Sequence, residues 1–334
     1  MTENVQIKER KSRRFNLSQS MILILLIVLL SIIATVVNPN FIRFTNLINI
    51  LQQIAVLGIV ASGVGMLLVS GEIDISVGSQ VSLMGVILAM TIQKMLGLPE
   101  GNVAQWRQTL AIPFAVFITF AVGFVLGLIN GITVIKSKAH SFIITLGFML
   151  AYKGVALLTT GGASYMLFGT FETLGRGRVL HFIPIPVLFL IGIILVTHII
   201  LKYFRYGRFL YAVGDNRKAA YVSGINTNRI TVTAYIVVGL LDALAALILI
   251  SRVGSALATT GDPYALDALA AVIVGGVSIL GGKGNALSIF LGVVLIGLIG
   301  NALIIMNVNP YVRDVVIGLI IIIAVSIGQF STQK

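Results

Sequence analysis

An all-α, polytopic transmembrane helix bundle of about ten spans is the fold class this sequence predicts, and three observations predict it. Of 334 residues, 57% are hydrophobic and only 10% charged, whereas soluble domains carry about a quarter charged residues. The deficit runs along the whole chain, which speaks for many spans and against a single anchor. The apolar runs are also long and unbroken. Backbone groups in lipid must pair internally, which leaves helices or a closed barrel, and runs of about 20 apolar residues select helices.

The first run, Met21 to Val37, follows a basic segment but lacks an A-x-A-like exit. Its polar exit is Asn38-Pro39-Asn40, so it reads as a retained span and not a cleaved signal. Apolar stretches then place helices near 47–70, 75–96, 109–135, 139–160, 183–203, 229–251, 264–282, 286–306 and 311–328. Residues 1–18 form a polar tail, and 19–330 form the transmembrane domain, with a long loop at 204–228. Folding 69–94 back as a re-entrant segment is the alternative that changes the number of spans. Residues 53–78 align weakly with 264–289, bringing Gly65 onto Gly276, Gly71 onto Gly282 and Asp74 onto Asn285. A repeat of that kind would be parallel.

The formal net charge of +12 would suggest nucleic acid in a soluble protein. In a membrane protein, basic residues collect in loops that stay cytoplasmic. With the N-terminus inside, 15 of the 23 Lys and Arg fall on the cytoplasmic side and 8 outside. Both termini are therefore expected in the cytoplasm, with outside loops near 97–108 and 161–182. Trp106, the single Trp, fits an interfacial anchor in the first of these.

Several chemistries are excluded. The chain has no cysteine, hence no disulfide, thiol nucleophile, Cys-ligated zinc or iron–sulfur cluster. His140, His181 and His198 are scattered, so neither a metal site nor a cofactor is expected. There is no G-x-x-x-x-G-K-[ST], G-x-S-x-G or H-E-x-x-H. Gly281-Gly-Lys-Gly284 lacks the spacer and the hydroxyl residue of a phosphate loop. The chain is not expected to be an enzyme, and any ATP-driven work falls to another subunit.

The loop at 204–228 is the most informative segment. Between Asn216 and Ser223 it predicts a short helix, which Asp215 or Asn216 can cap and Gly224 can end. Ala219 and Ala220 leave room for a partner groove, and a solvated connection is the plainer alternative. Lys218-Ala-Ala-Tyr-Val-Ser-Gly224 is similar to the E-A-A-x-x-x-G coupling motif of binding-protein-dependent ABC importers, with Lys218 in place of Glu. Gly214, Asn216, Ala219, Ala220, Ser223, Gly224 and Ile225 match the form it takes in the ribose-type sugar permeases, G-x-N-x-x-A-A-x-x-S-G-I. Gly71-Glu-Ile-Asp-Ile-Ser-Val-Gly78 resembles that branch's G-G-I-D-L-S-V-G, with Glu72 replacing its second Gly. Residues 270–284 resemble its A-A-V-x-x-G-G-x-S-x-x-G-G-x-G.

The resemblance covers about residues 40–330 and implies an inner-membrane permease of a bacterial ABC importer. Relatives carry ribose, xylose, arabinose, galactose or a quorum-signalling furanose. The implied partners are ATPase subunits that dock on Asp215, Asn216, Lys218, Ala219, Ala220, Ser223 and Gly224, an extracytoplasmic solute-binding protein, and a second permease chain, identical or related. The bilayer and a small solute complete the set, and nucleic acid is not among them.

Ionisable groups within a membrane are costly and default to functional hypotheses. Glu72 and Asp74, with Ser76, line a solute cavity if their segment lies at membrane depth, and are interfacial groups if it is a true loop. Asp267 is a first-turn carboxylate or a solute ligand. Gly275 and Gly276 permit close helix crossing or local unwinding along a path. Asp242 sits mid-helix, ten residues from Arg252 and so about 15 Å of rise away, which favours a contact between helices over a pair with that arginine. Asn130, Asn301 and Asn307 can hydrogen-bond between helices. An ion-coupled secondary transporter is the alternative function, but such proteins bury several carboxylates at midplane, and only Asp242 is clearly mid-span.

Overall fold

The computed structural model describes residues 19–101, 104–180 and 182–332. The predicted polar tail, 1–18, and His181 lie outside the described residues. The membrane spans come first as α1 (Gln19–Val37), α2 (Phe44–Val69), α3 (Val77–Leu96), α4 (Gln105–Ser137) and α5 (Ser141–Thr160). After β1 (Tyr165–Met166), α6 (Thr173–Arg176), β2 (Arg178–Val179) and β3 (Ile183–Pro184) comes α7 (Ile185–Tyr203). The loop at 204–228 holds α8 (Arg205–Asp215) and α9 (Arg217–Val222). Then follow α10 (Thr227–Val253), β4 (Ser255–Ala256), α11 (Pro263–Gly275), α12 (Ala286–Ile305) and α13 (Pro310–Thr332).

Among the described residues, eight helices are long and apolar enough to cross a membrane: α1 to α5, α7, α10 and α12. The expected helix at 311–328 falls within α13. One expectation needs correction. The predicted span 264–282 is a helix of 13 residues, about 20 Å long against a hydrocarbon core of about 30 Å. Gly276 stops it at φ +102, and Gly281, Gly282 and Gly284 keep the chain irregular up to α12 with φ of +87, +74 and +146. By contrast α3 is a continuous helix of 20 residues, long and apolar enough to cross a membrane. Of the weak repeat, Gly71 and Gly282 share a left-handed backbone, but Gly65 lies inside α2 whereas Gly276 ends α11.

At the centre stands α2, buried without interruption from Ile54 to Val69. Its glycines serve packing, each against a different neighbour. A Cβ at Gly58 would meet Leu190 of α7, at Gly63 Val238 of α10, and at Gly65 Ile289 of α12. Helices in lipid gain little from the hydrophobic effect and associate by close packing through small residues. The same logic is strongest between α4 and α10. Gly123, Gly127 and Gly131 recur every fourth residue and bring α4 onto the backbone of Gly239, Tyr235 and Val232. A Cβ at Gly131 would lie 2.9 Å from Val232 Cα.

The connections sort to two ends. At one end β1 pairs antiparallel with β4, Gln93 donates to the Met166 carbonyl at 2.7 Å, and Asn38 donates to Ile305 O at 2.8 Å. There Asn46 and Asn301 exchange amide hydrogen bonds of 2.9 and 3.0 Å, and Asn307 ends α12 at φ +57. The opposite end gathers 70–76, 138–140, 204–226 and 276–285. Its links are Gly282 N–H to Val69 O at 2.9 Å, Ile73 N–H to Ser141 Oγ at 3.1 Å and the Tyr211 hydroxyl to Gly284 O at 2.7 Å. Burial raises the Tyr211 pKa further above neutral. These two ends are the ones the basic-residue count separates.

Candidate functional site

The segment between α2 and α3 is irregular yet buried. Such backbone is tolerated at membrane depth only where protein or a cavity satisfies it, and here α5 supplies hydroxyls. Ser141 accepts from Ile73 N–H at 3.1 Å, and Thr145 Oγ1 accepts from Ile75 N–H at 3.3 Å. The two stand four residues apart on one face of α5. Tyr235 of α10 donates to Ile73 O at 3.3 Å.

This support points Asp74 inward, where it is 2% exposed. Its Oδ1 accepts from Ser76 N–H at 2.8 Å and Ser76 Oγ at 2.6 Å. Its Oδ2 accepts from Asn130 Nδ2 at 3.1 Å and Gln80 Nε2 at 3.3 Å. Asn130 in turn accepts from the Tyr152 hydroxyl at 2.6 Å. Ser76, Gln80 and Asn130 are wholly buried, so α3, α4 and α5 close round one carboxylate. Every partner in the cluster is a hydroxyl, an amide or a backbone N–H. The cluster can position hydroxyl and amide groups, and Gln80 Oε1 has no partner among the described residues. On α10, Thr231 Oγ1 and both oxygens of Asp242 are buried and also lack a hydrogen-bond partner among the described residues. The contact between helices expected for Asp242 is therefore not a hydrogen bond.

The predicted path residues divide. Glu72, Asp74 and Ser76 come together in the buried segment. Asp267 does not join them: it sits at the other end of the bundle, 6% exposed, and binds Arg313 of α13. Gly275 lets α11 lie against the Ser288 carbonyl of α12, and Gly276 is the left-handed stop of α11 beside the Gln19 side chain. Gln80 and Tyr152 were missed by sequence reasoning. Gln80 lies six residues beyond Asp74 in an apolar run, a signal of the kind that marks out Asn130.

The second constellation is α8–α9. Asn216 caps α9 as one of the two expected residues, its Oδ1 accepting from Ala219 N–H at 3.0 Å. Gly224 leaves the helix at φ +85. Asp215, Asn216, Lys218, Ala219, Ser223 and Gly224 are exposed. Ala220 is not: it is 4% exposed and faces the bundle. The outward apolar groups are instead Ala219 with Tyr221 and Val222, 71% and 85% exposed. The helix α8 was not expected. It buries Gly207, Leu210 and Val213, a spacing of three that places all of them on one face.

Behind this unit three stretches of backbone meet through glycine. Gly214, near the end of α8, abuts the Val69 carbonyl and the Gly282 N–H, and Gly281 abuts Gly214 and Gly71. A side chain at Gly214 would overlap main chain on two sides. The outward helix is thereby seated against both the segment holding Asp74 and the turn between α11 and α12.

A buried polar cluster inside a multi-pass bundle, beside an exposed capped helix, fits a transport permease. The family described as branched-chain amino acid transport system / permease component matches residues 46–325, and this chain belongs to it, in the ribose-type branch that its three motifs resemble. It is 36% identical over 331 residues to the ribose import permease protein of Bacillus subtilis, covering 98% of each chain. It is 36% identical to the ribose import permease protein of Escherichia coli K12 over 315 residues, 92% of each chain. It is 34% identical to the galactose/methyl galactoside import permease protein of Haemophilus influenzae over 332 residues, 97% of this chain and 98% of that one. No solved structure matches this chain.

Proposed function

We propose that this chain is the membrane-spanning subunit of a binding-protein-dependent ABC importer for ribose or a related pentose or hexose. Separate ATPase subunits hydrolyse the ATP and dock on α9. A solute-binding protein delivers the sugar at the end carrying 161–184, and a second permease chain, identical or related, completes the path. Both termini lie in the cytoplasm of a bacterial inner-membrane protein. The observation that carries this is α9 itself, a capped six-residue helix holding Tyr221 and Val222 out of the protein. Exposed apolar groups on a rigid, polar-rimmed projection mark a protein contact. The buried acceptors Gln80 Oε1 and those of Asp242 suit a ligand rich in hydroxyl donors. Near-full-length identity to ribose and galactose permeases supports the same class of solute.

Purification from the native host in mild detergent tests the assignment. The expected result is an ATPase subunit that stays bound and is lost on Ala219→Trp, with radiolabelled D-ribose taken up by proteoliposomes only when ATP is present. Uptake that ignores ATP and collapses with the ion gradient would overturn it in favour of a secondary transporter.

A further inference from the structure

One contact joins α9 directly to the buried segment. Arg217, the first residue of α9, donates through Nη1 to Oε1 of Glu72 at 2.6 Å. Its Nη2 reaches Asn228 Oδ1 at 3.4 Å. The Glu72 side chain is 10% exposed and that of Arg217 41%, so the carboxylate is committed to the protein while the guanidinium remains half in water. An ion pair of this kind can open and re-form.

Glu72 lies two residues from Asp74, and Ile73 between them is held by Ser141 and Tyr235. Two residues of chain reach at most about 7 Å, which leaves little slack. Displacement of Glu72 therefore passes to Asp74, and from Asp74 to Gln80 of α3 and Asn130 of α4. The end of α8 is fixed where Gly214 meets Val69 and Gly282. Beyond it, Asn216 has an extended backbone, φ −153 and ψ 100, and forms the joint from which α9 projects. The short helix is thus carried between this joint and the turn at 223–226 that leads into α10, and one charge pair ties its first residue to the segment. Glu72 also stands where the ribose-type pattern has glycine, so this chain adds the pair to that pattern.

We propose that the Glu72–Arg217 ion pair is a coupling latch, which delivers movement of α9 to the 70–76 segment and so to the groups around Asp74. The latch rests on the importer assignment above. Both residues are positioning residues, acting through Asp74. Coupling of this kind needs a contiguous physical connection with alternative states, and a half-exposed ion pair supplies the element that can change state.

The test uses the full chain with its ATPase and binding protein in proteoliposomes, with radiolabelled D-ribose as probe. Glu72→Gln and Arg217→Gln are each expected to lower ribose imported per ATP hydrolysed by about tenfold, within the usual range for coupled sites. The exchanged pair Glu72→Arg with Arg217→Glu is expected to recover most of that ratio. A second measurement needs no solute. The chain is free of cysteine, so Ile75→Cys places one reactive thiol in the segment. ATP is expected to change its labelling rate by a small thiol reagent, and Arg217→Gln to abolish that change. An unchanged import ratio in the single variants, an exchanged pair as poor as they are, or ATP-independent labelling overturns the latch. An unaltered chain that binds no ATPase overturns the importer assignment itself, whereas coupled import with variants at the native ratio overturns the latch alone.

Discussion

Asn130 ties three other side chains of the buried cluster together, since it donates to Asp74 and Ser76 and accepts from Tyr152. Asn130→Leu removes three interactions and leaves a carboxylate and a phenol short of partners. A buried polar group left unsatisfied costs about 1–3 kcal/mol, so the variant is expected to unfold at a clearly lower temperature in detergent. Tyr152→Phe removes one donor and is expected to cost about 1 kcal/mol; thermal unfolding of the two variants side by side checks the order. Asp242 has the opposite expectation. Neither of its oxygens has a hydrogen-bond partner among the described residues, so Asp242→Leu breaks no hydrogen bond there and replaces a buried acceptor with an apolar group. Such exchanges are neutral or stabilising, and an unfolding temperature no lower than that of the unaltered chain is expected. At this scale the sequence was partly legible. The charges at 72, 74 and 242 stand out in apolar runs, but the grouping of Asp74 with Gln80, Asn130 and Tyr152 depends on how α3, α4 and α5 close together. Residues separated by up to 78 positions give no local sign of it.

Elements carry their own expectations. Gly224 takes φ +85 with open space around its Cα, so only backbone strain opposes a side chain there. Gly224→Val is expected to cost about 1–2 kcal/mol and to loosen the end of α9, weakening retention of the ATPase on a detergent column, while Gly224→Asn is tolerated. Ala219→Trp, on the exposed face, is expected to block docking without lowering the unfolding temperature. At the buried Ala220, Trp is expected to lower it by overpacking, by about 1–3 kcal/mol. Comparing stability and ATPase retention for the two alanines separates a docking residue from a packing residue. Cap, helix and stop of α9 could be read from Asn216, Ala219 and Gly224, because capping is local chemistry. The burial of Ala220 could not, since it depends on how α8 lies against the bundle. The length of α11 escaped for a related reason. Its apolar run continues past Gly276, and hydropathy alone does not register that glycines turn left-handed there.

For the whole molecule, the two ends defined by the loops make a prediction about sidedness. The absence of natural cysteine makes single-cysteine variants directly informative. A cysteine replacing Phe168 is expected to react with a membrane-impermeant maleimide in intact cells. One replacing Lys218 is expected to react only after permeabilisation. The reverse pattern would invert the proposed orientation. The positions of the long helices were the most legible level. Apolar runs and basic-residue placement depend on the bilayer as solvent, which acts on composition and needs no knowledge of tertiary packing.

The glycines at 123, 127 and 131 leave no layer of side chains between α4 and α10. Sliding one helix along the other would drive carbonyl oxygens over main chain, a motion with no soft coordinate. The pair therefore behaves as a single stiff spar through the membrane, 33 residues long on the α4 side. Any swing between outward- and inward-open shapes must be taken up at the spar's ends and margins. Its amides should be the last in the protein to exchange with deuterium, whichever nucleotide state the transporter occupies.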